Sequence, residues 1–408
     1  KIDNMTLDIS IFEKGKFTED ELEQAIIELF QQQGYTYVPG ESIHRRYEDV
    51  LLTEDLRSFL VSHYNNDLSE IEIQKIINKL SLISSTPLYI GNRDSFRLVT
   101  EGFDLGRDDL SKVALHVDYI DFENPENNIF KVVNQYSVQD KCLRRPDLLV
   151  FINGIPITIL EFKTATEEDT TIHNAWEQIT IRYCRDIPKL MKYCFLSVIS
   201  DGANNRMGSI FTPYEYYYAW NKANDKDKVS NGISSLYTIV EGAFAKERIL
   251  KLLRDFVFYP DDSKKSEAIV CRYPQYFGAM KMIANVKVHM RPEGDGKGGT
   301  YFGATGCGKT YTMLFLSRLI ALRDDNTFHN PTIIIIADRE DLDTQTSELF
   351  VTAKKYLHED DVRSIENRQD LHDTLNDRPS GGVYITTIQK FCESTGLLSD
   401  RSNIICIS

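Results

Sequence analysis

Residues 145–163 read RPDLLVFINGIPITILEFK, and the fold of the first half of this chain can be argued from them. Two apolar runs, Leu148–Ile152 and Ile155–Phe162, flank Asn153-Gly154, a dipeptide suited to the positive φ angles of a tight hairpin turn. Folding about that turn sets Asp147 opposite Leu160 and Glu161, to within a residue of register. Glu161 and Lys163 lie two apart on a strand, so they share a face while Phe162 points the other way. The hairpin therefore predicts two carboxylates and one ammonium at one place.

Those residue types suit phosphodiester hydrolysis. Asp147 and Glu161 offer oxygen donors to a hard divalent cation such as Mg²⁺, which polarises a phosphoryl oxygen and acidifies a bound water. Lys163 can orient that water and offset charge in the transition state. The competing reading is a plain salt bridge between Glu161 and Lys163 at a strand edge. A helix predicted over 171–185 adds Gln178 and Tyr183, both placed to reach the same spot. Arg182, Arg185 and Lys189 follow, and Lys141, Arg144 and Arg145 precede the hairpin, a plausible rim for a nucleic-acid backbone. Each has the alternative of a solvated surface position. His173 reads as a surface or packing residue, since no second histidine lies at metal-ligand spacing.

Residues 303–310 read GATGCGKT, a full match to G-x-x-x-x-G-K-[ST]. Gly303, Gly306 and Gly308 let backbone N–H groups approach phosphate, and the helix starting near Lys309 turns its positive end toward the anion. Lys309 is expected on the β- and γ-phosphates of ATP, and Thr310 on Mg²⁺. A strand over 300–303 and a helix over 311–322 supply the context. The run 332–337 reads as a strand buried on both faces. The polar stretches after it (338–345) and within 383–391 stand where sheet loops meet ligands.

The rest of the chain frames these two signals. Thr18-Glu19-Asp20-Glu21 and Ser69-Glu70-Ile71-Glu72 are capping boxes, so the first 85 residues read as mostly helical. Short β-type runs occupy 98–200, including 129–133 and 194–199. The tyrosine-rich run 214–220 reads as an aromatic face packed into the core. A boundary falls near Ala245, before an amphipathic helix over 246–258. At 408 residues two or three domains are expected. The division is an endonuclease domain over 1–245 (a helical segment over 1–85, a nuclease core over about 98–200) and a parallel-sheet nucleotide-binding domain over 246–408. The fold class is α/β.

Composition excludes other classes. A hydrophobic content of 42% and charged content of 26% are those of a globular protein. No apolar run approaches a membrane span. The seven cysteines form no C-x-x-C pair, which argues against zinc or disulfides and for a reducing cytoplasm. A net charge of −14 limits any nucleic-acid contact to a local basic groove. The start at Lys1 suggests a trimmed N-terminus.

The residues also resemble a known family, the motor or restriction (R) subunits of type I restriction-modification enzymes. NQYSV (134–138) with the hairpin is similar to that family's nuclease core, a restriction-endonuclease-like mixed sheet, and 185–202 to the segment after it. RYPQYFGAMK (272–281) resembles its adenine-recognising motif, with Gln275 the matching glutamine. GATGCGKT, ADREDLDTQ (337–345) and TTIQKF (386–391) are similar to superfamily 2 helicase motifs I, Ia and Ib on a RecA-like fold. The resemblance implies a translocase that moves double-stranded DNA past a sequence-reading complex and cleaves it, using ATP and Mg²⁺. It implies methyltransferase and specificity subunits as partners. It also places Glu23 near the metal, in competition with Glu19, Glu21 and Glu28. The family's glutamine and tyrosine stand four apart; Gln178 and Tyr183 stand five apart. Either the helical register adjusts locally or one assignment is wrong, with Gln178 the firmer. The aspartate-glutamate box of motif II does not follow 404–408. An N-terminal fragment that folds its nuclease domain and does not hydrolyse ATP is therefore expected. The alternatives are a stand-alone defence nuclease-helicase without a specificity subunit, and a DNA-binding scaffold with dead sites.

Overall fold

The computed structural model describes residues 18–163, 171–232, 234–261, 266–322, 327–337, 340–377, 379–391 and 398–408. The chain divides into two compact units. One is Lys1–Arg254 with Ala268–Val270, and the other is Asp255–Glu267 with Cys271–Ser408. The helix Lys246–Asp255 thus runs to the division, rather than following it as the boundary at Ala245 supposed.

The first unit is built on a mixed six-stranded sheet whose strands lie side by side in chain order. They are β1 (Thr36–Pro39), β2 (Phe130–Asn134), β3 (Leu148–Ile152), β4 (Ile155–Phe162), β5 (Leu196–Ser200) and β6 (Asn205–Gly208). β1 and β2 pair in parallel, as do β4 and β5; the other neighbours are antiparallel. Every residue of β3 and β4 is buried, which accounts for their unbroken apolar runs. Asn153 and Gly154 take φ of 50° and 78°, as the turn requires. The pairing Leu148↔Leu160 carries Asp147 to the level of Glu161, with one irregularity between Val150 and Phe151. That irregularity falls opposite Pro156, which has no N–H to give the ladder.

Helix α1 (Glu19–Gln32) begins on the expected Thr18–Glu21 capping box, and α3 (Glu70–Ser81) on that of Ser69–Glu72. With α2 (Thr53–His63) and α4 (Leu88–Glu101) they make the N-terminal region helical. The helix after β4 is not uniform. An α-helical turn, α5 (Ile172–Glu177), passes into a π-helical turn over Gln178–Tyr183 and then into Cys184–Asp186. The tyrosine-rich run divides: Tyr217 and Trp220 are buried, whereas Tyr216 is 59% exposed. Only half of it is a core face, because the 3-10 turn Tyr214–Tyr216 breaks the period that would have aligned the rings.

The second unit holds a four-stranded, wholly parallel sheet. Its strands are β7 (Thr332–Ala337), β8 (Val362–Ser364), β9 (Val383–Thr387) and β10 (Ile404–Ile407), in the spatial order β8-β9-β7-β10. Helices α6 (Tyr273–His289), α7 (Lys309–Leu322), α8 (Glu340–Val351) and α9 (Arg368–Asp377) accompany it. Residues 300–303, expected as a strand, are irregular. They lie against α6 instead, so close that a Cβ on Gly278 would fall 2.6 Å from the Tyr301 ring. Of the motif-Ia stretch, Asp338 and Arg339 lie outside the described residues.

Candidate nuclease centre and phosphate loop

Asp147 precedes β3 and Glu161 is the penultimate residue of β4, so neighbouring strands deliver both carboxylates to one point. Asp147 Oδ2 accepts the Phe162 backbone N–H at 2.8 Å, which ties it to the strand that carries Glu161. Glu161 is fully buried. Its Oε1 lies 3.4 Å from Lys163 Nζ and accepts a Gln178 Nε2 N–H; its Oε2 accepts the Tyr183 hydroxyl at 3.2 Å. Gln178 also donates to the Tyr183 oxygen at 2.7 Å. Lys163 Nζ donates to the Phe162 carbonyl at 2.7 Å and lies 3.9 Å from Glu19. Of the competing reading, the ion pair of Glu161 with Lys163 is present at 3.4 Å, but it is not at a sheet edge, since β4 lies inside the sheet.

The five-residue interval from Gln178 to Tyr183 is resolved by the π turn. A π turn closes i→i+5 bonds, so it adds one residue without rotating the next turn off the face. Both side chains then meet Glu161, as the local adjustment of register required.

The electrostatics are those of crowded carboxylates. Burial pushes Asp147 up to about 6, opposed by the Phe162 N–H and Lys163 and assisted by Glu19 and Glu23. Glu161 is raised well above its ordinary value by burial and by Asp147, with Lys163 and Tyr183 acting against the shift. Burial, then Glu161, holds the Tyr183 hydroxyl protonated and so a donor. One ammonium does not offset two carboxylates, Glu161 buried and Asp147 half-buried. Oxygen donors of this kind suit a hard divalent cation. Among the described residues no three His, Cys, Asp or Glu groups gather to hold one directly. Asp147 and Glu161 would therefore need backbone carbonyls or waters to complete a shell.

Of the competing acids on α1, Glu21 is spent on the helix cap and Glu28 is exposed. Glu23 is buried, and its two oxygens accept N–H groups of Asn134 and Gln135, each at 2.7 Å. The sequence showed these two carboxamides at the end of a strand, but no spacing argument linked them to Glu23. The basic rim is only partly available. Asp186 is held well below the carboxylate range by Arg185 and then Arg144, and takes both guanidinium groups. Lys189 lies 3.9 Å from Asp140, whereas Lys141, Arg145 and Arg182 are exposed. His173 packs against Trp176 and Tyr214.

In the second unit the phosphate loop lies between residue 303 and α7. Gly306 and Gly308 take φ of 78° and 83°. A Cβ at Gly308 would fall 2.5 Å from Gln275 Nε2, and one at Gly303 would fall 2.6 Å from Cys307 Sγ. Lys309 Nζ donates to the Gly303 carbonyl at 2.9 Å, and Thr310 is the second residue of α7. Gln275 is buried in the first turn of α6. Its Oε1 accepts the Arg272 N–H at 2.8 Å and its Nε2 donates to the Gly308 carbonyl at 3.0 Å. It is thus a helix cap and a neighbour of the loop at once.

Two family models match this sequence. Type I restriction enzyme R protein N terminus covers residues 16–216, and SWI2/SNF2 ATPase covers residues 274–408. The type I restriction enzyme HindI endonuclease subunit of Haemophilus influenzae is 27% identical over 96% of this chain and 38% of its own length. The putative type I restriction enzyme MjaIXP endonuclease subunit of Methanocaldococcus jannaschii is 28% identical over 97% of this chain and 40% of its own. A Staphylococcus saprophyticus relative, the SsaAORF53P endonuclease subunit, is 27% identical over 91% and 37%. The chain thus spans about two-fifths of the length of these relatives. No described helix is long and apolar enough to cross a membrane.

Proposed function

We propose, from the likeness of residues 16–216 to the type I restriction enzyme R protein N terminus and of residues 274–408 to SWI2/SNF2 ATPase, that the first unit hydrolyses the backbone of double-stranded DNA. The observation that carries the proposal is the convergence of Asp147, Glu161 and Lys163 at the ends of two adjacent strands. In this reading the first unit is a restriction-endonuclease-like domain and the second a RecA-like motor domain. Asp147 and Glu161 would hold Mg²⁺. When bound, that ion withdraws charge from a phosphoryl oxygen and makes a coordinated water acidic. Lys163 exchanges its bond to the Phe162 carbonyl for the attacking water and offsets the charge that grows on phosphate. Gln178 and Tyr183 fix the rotamer of Glu161, so its oxygens need no reorientation when substrate arrives. The exposed Lys141, Arg145 and Arg182 receive the DNA backbone.

In the second unit the phosphate loop binds ATP. Lys309 would exchange the Gly303 carbonyl for the β- and γ-phosphates, Thr310 would hold the accompanying Mg²⁺, and Gln275 would meet the adenine edge. Duplex movement driven by that motor, in a complex with methyltransferase and specificity subunits, delivers DNA to the nuclease. The test is Lys163→Ala in the assembled enzyme: DNA cleavage is lost and DNA-dependent ATP hydrolysis continues. Loss of both activities together, or retention of cleavage, overturns the assignment.

A further inference from the structure

Asp186 gathers two guanidinium groups. It stands three residues after Tyr183, at the end of the turn Cys184–Asp186, and it is buried. Arg185 Nε donates to its Oδ1 at 2.6 Å and Arg185 Nη2 to its Oδ2 at 3.1 Å. Arg144 Nε donates to Oδ2 at 2.8 Å, and Arg144 Nη2 lies 2.6 Å from the same oxygen. The side chains of Arg144 and Arg185 nevertheless stay 38% and 65% exposed.

These ion pairs do more than join two segments. The turn between Val138–Gln139 and Leu143–Arg144 is already bound to the helix through backbone groups. The Lys141 and Cys142 N–H groups donate to the Asp186 carbonyl at 3.1 and 3.3 Å, and Asp140 Oδ2 accepts the Lys189 N–H at 3.0 Å. Arg185 precedes Asp186 in sequence, so its ion pair ties no distant element and fixes only the rotamer of Arg185 itself. A guanidinium has five N–H donors in a rigid fork, and in both of these Nε and Nη2 face Asp186. Arg185 Nη1 makes no hydrogen bond among the described residues, and Arg144 Nη1 has only the Leu143 carbonyl at 3.3 Å. As separate cations the two are diminished by Asp186; as a pair they are organised. Two guanidinium groups on one carboxylate leave one net positive charge, which matches the single negative charge of a phosphodiester. The surroundings favour an anion as well. Residues 140–145 and 182–189 hold six Lys or Arg against two Asp, in a chain of net charge −14.

We infer that Arg144 and Arg185, fixed by Asp186, form one binding site for a DNA phosphodiester beside the one to be cut. Arg144 stands three residues before Asp147, and Arg185 two after Tyr183, which donates to Glu161. Three residues of chain span at most about 11 Å, so the phosphate held here is a near neighbour of the scissile one. Asp186 is a positioning residue. It touches no phosphate and orders the two side chains before DNA arrives, which removes that cost from binding. Such a site reads backbone and not base sequence.

This inference rests on reading the first unit as the nuclease. The full chain is titrated with a fluorescein-labelled duplex in chelator, where no strand is cut, over about 50 to 200 mM salt. Arg185→Ala should weaken binding and make the plot of log affinity against log salt shallower by about 0.9, one phosphate contact. The double variant with Arg144→Ala should lose no more slope than that, since both arginines serve one phosphate. Arg185→Lys keeps the charge but loses the fork, and should still bind more weakly than the parent. Asp186→Asn gives the sharpest test. Removing a carboxylate from a rim of independent cations tightens DNA binding, whereas loss of the positioned pair weakens it. Tighter or unchanged binding by Asp186→Asn, or an unaltered slope in Arg185→Ala, overturns the inference. Should Asp186→Asn fail to fold in a thermal melt, Arg185→Ala decides alone, because its side chain joins no elements. Retained cleavage by Lys163→Ala in the assembled enzyme strikes the nuclease reading, which these slopes do not test.

Discussion

Deleting Ile181 should leave the Glu161 constellation working. Ile181 lies in the π turn and is 51% exposed, so its loss removes little buried surface. At about 100° per residue, five residues of ordinary α-helix would carry Tyr183 roughly 140° from Gln178, whereas four leave only about 40°. The π turn absorbs the extra residue; removing it closes the turn as α-helix and keeps both flanks on their present faces. An alanine inserted after Ile181 does the opposite. It rotates Tyr183 by about 100° and breaks the 3.2 Å bond to Glu161 and the 2.7 Å bond from Gln178. Two hydrogen bonds at roughly 1 kcal/mol each come to about 2 kcal/mol, and the loss is larger with Glu161 ionised. At roughly 2 to 4 °C per kcal/mol for a unit of this size, the insertion should lower the melting temperature by about 4 to 8 °C and remove cleavage. The deletion should stay within about 2 °C and keep cleavage in the assembled enzyme. If both variants lose stability and cleavage alike, the alignment of Gln178 with Tyr183 is not what the π turn serves.

Other outcomes follow from the electrostatics and the loop. Asp147, near 6 when folded against 3.8 ordinarily, binds its proton more tightly in the folded chain. Stability in chelator should therefore fall as pH rises from about 4 to 6, and Glu161, raised in the same sense, should add to the fall. Asp147→Asn should flatten that slope in melts between about pH 4 and 6, and an unaltered slope would refute the assignment. Gly308→Ala meets both a φ of 83° and a Cβ 2.5 Å from Gln275. Strain of about 1–2 kcal/mol should show as weakened binding of a fluorescent ATP analogue. Gln275→Ala should relieve that clash while lessening the preference for ATP over GTP; an unchanged preference would remove the adenine role.

The hairpin was legible because its information is local. Asn153-Gly154 dictates the turn, the turn dictates register, and register brings Asp147 to Glu161. The α1 and α3 starts were legible for the same reason. The interval between Gln178 and Tyr183 pointed to an irregular helix but not to its kind, since an inserted residue can be absorbed by a π turn, a kink or a loop. The contact of Glu23 with Asn134 and Gln135 was hidden because the two carboxamides stand far from Glu23 in sequence and only tertiary packing joins them. The strand expected over 300–303 failed because a short β-type run says nothing of its pairing partner, and Tyr301 found a closer surface in α6. The basic rim was overestimated: a count of arginines does not reveal that buried Asp186 engages two of them.

β3 and β4 are covered on both sides by other strands, and all their residues are inaccessible to water. Amide protons at the ends of such strands exchange only when the whole cooperative unit opens. The Phe162 N–H, which Asp147 receives, should thus be among the slowest in the molecule and should report global unfolding. The spacing of the two carboxylates is then governed by the same opening free energy as the fold itself. A destabilising change in a distant helix should alter the proportion of molecules that possess the centre, without altering the centre in those that do.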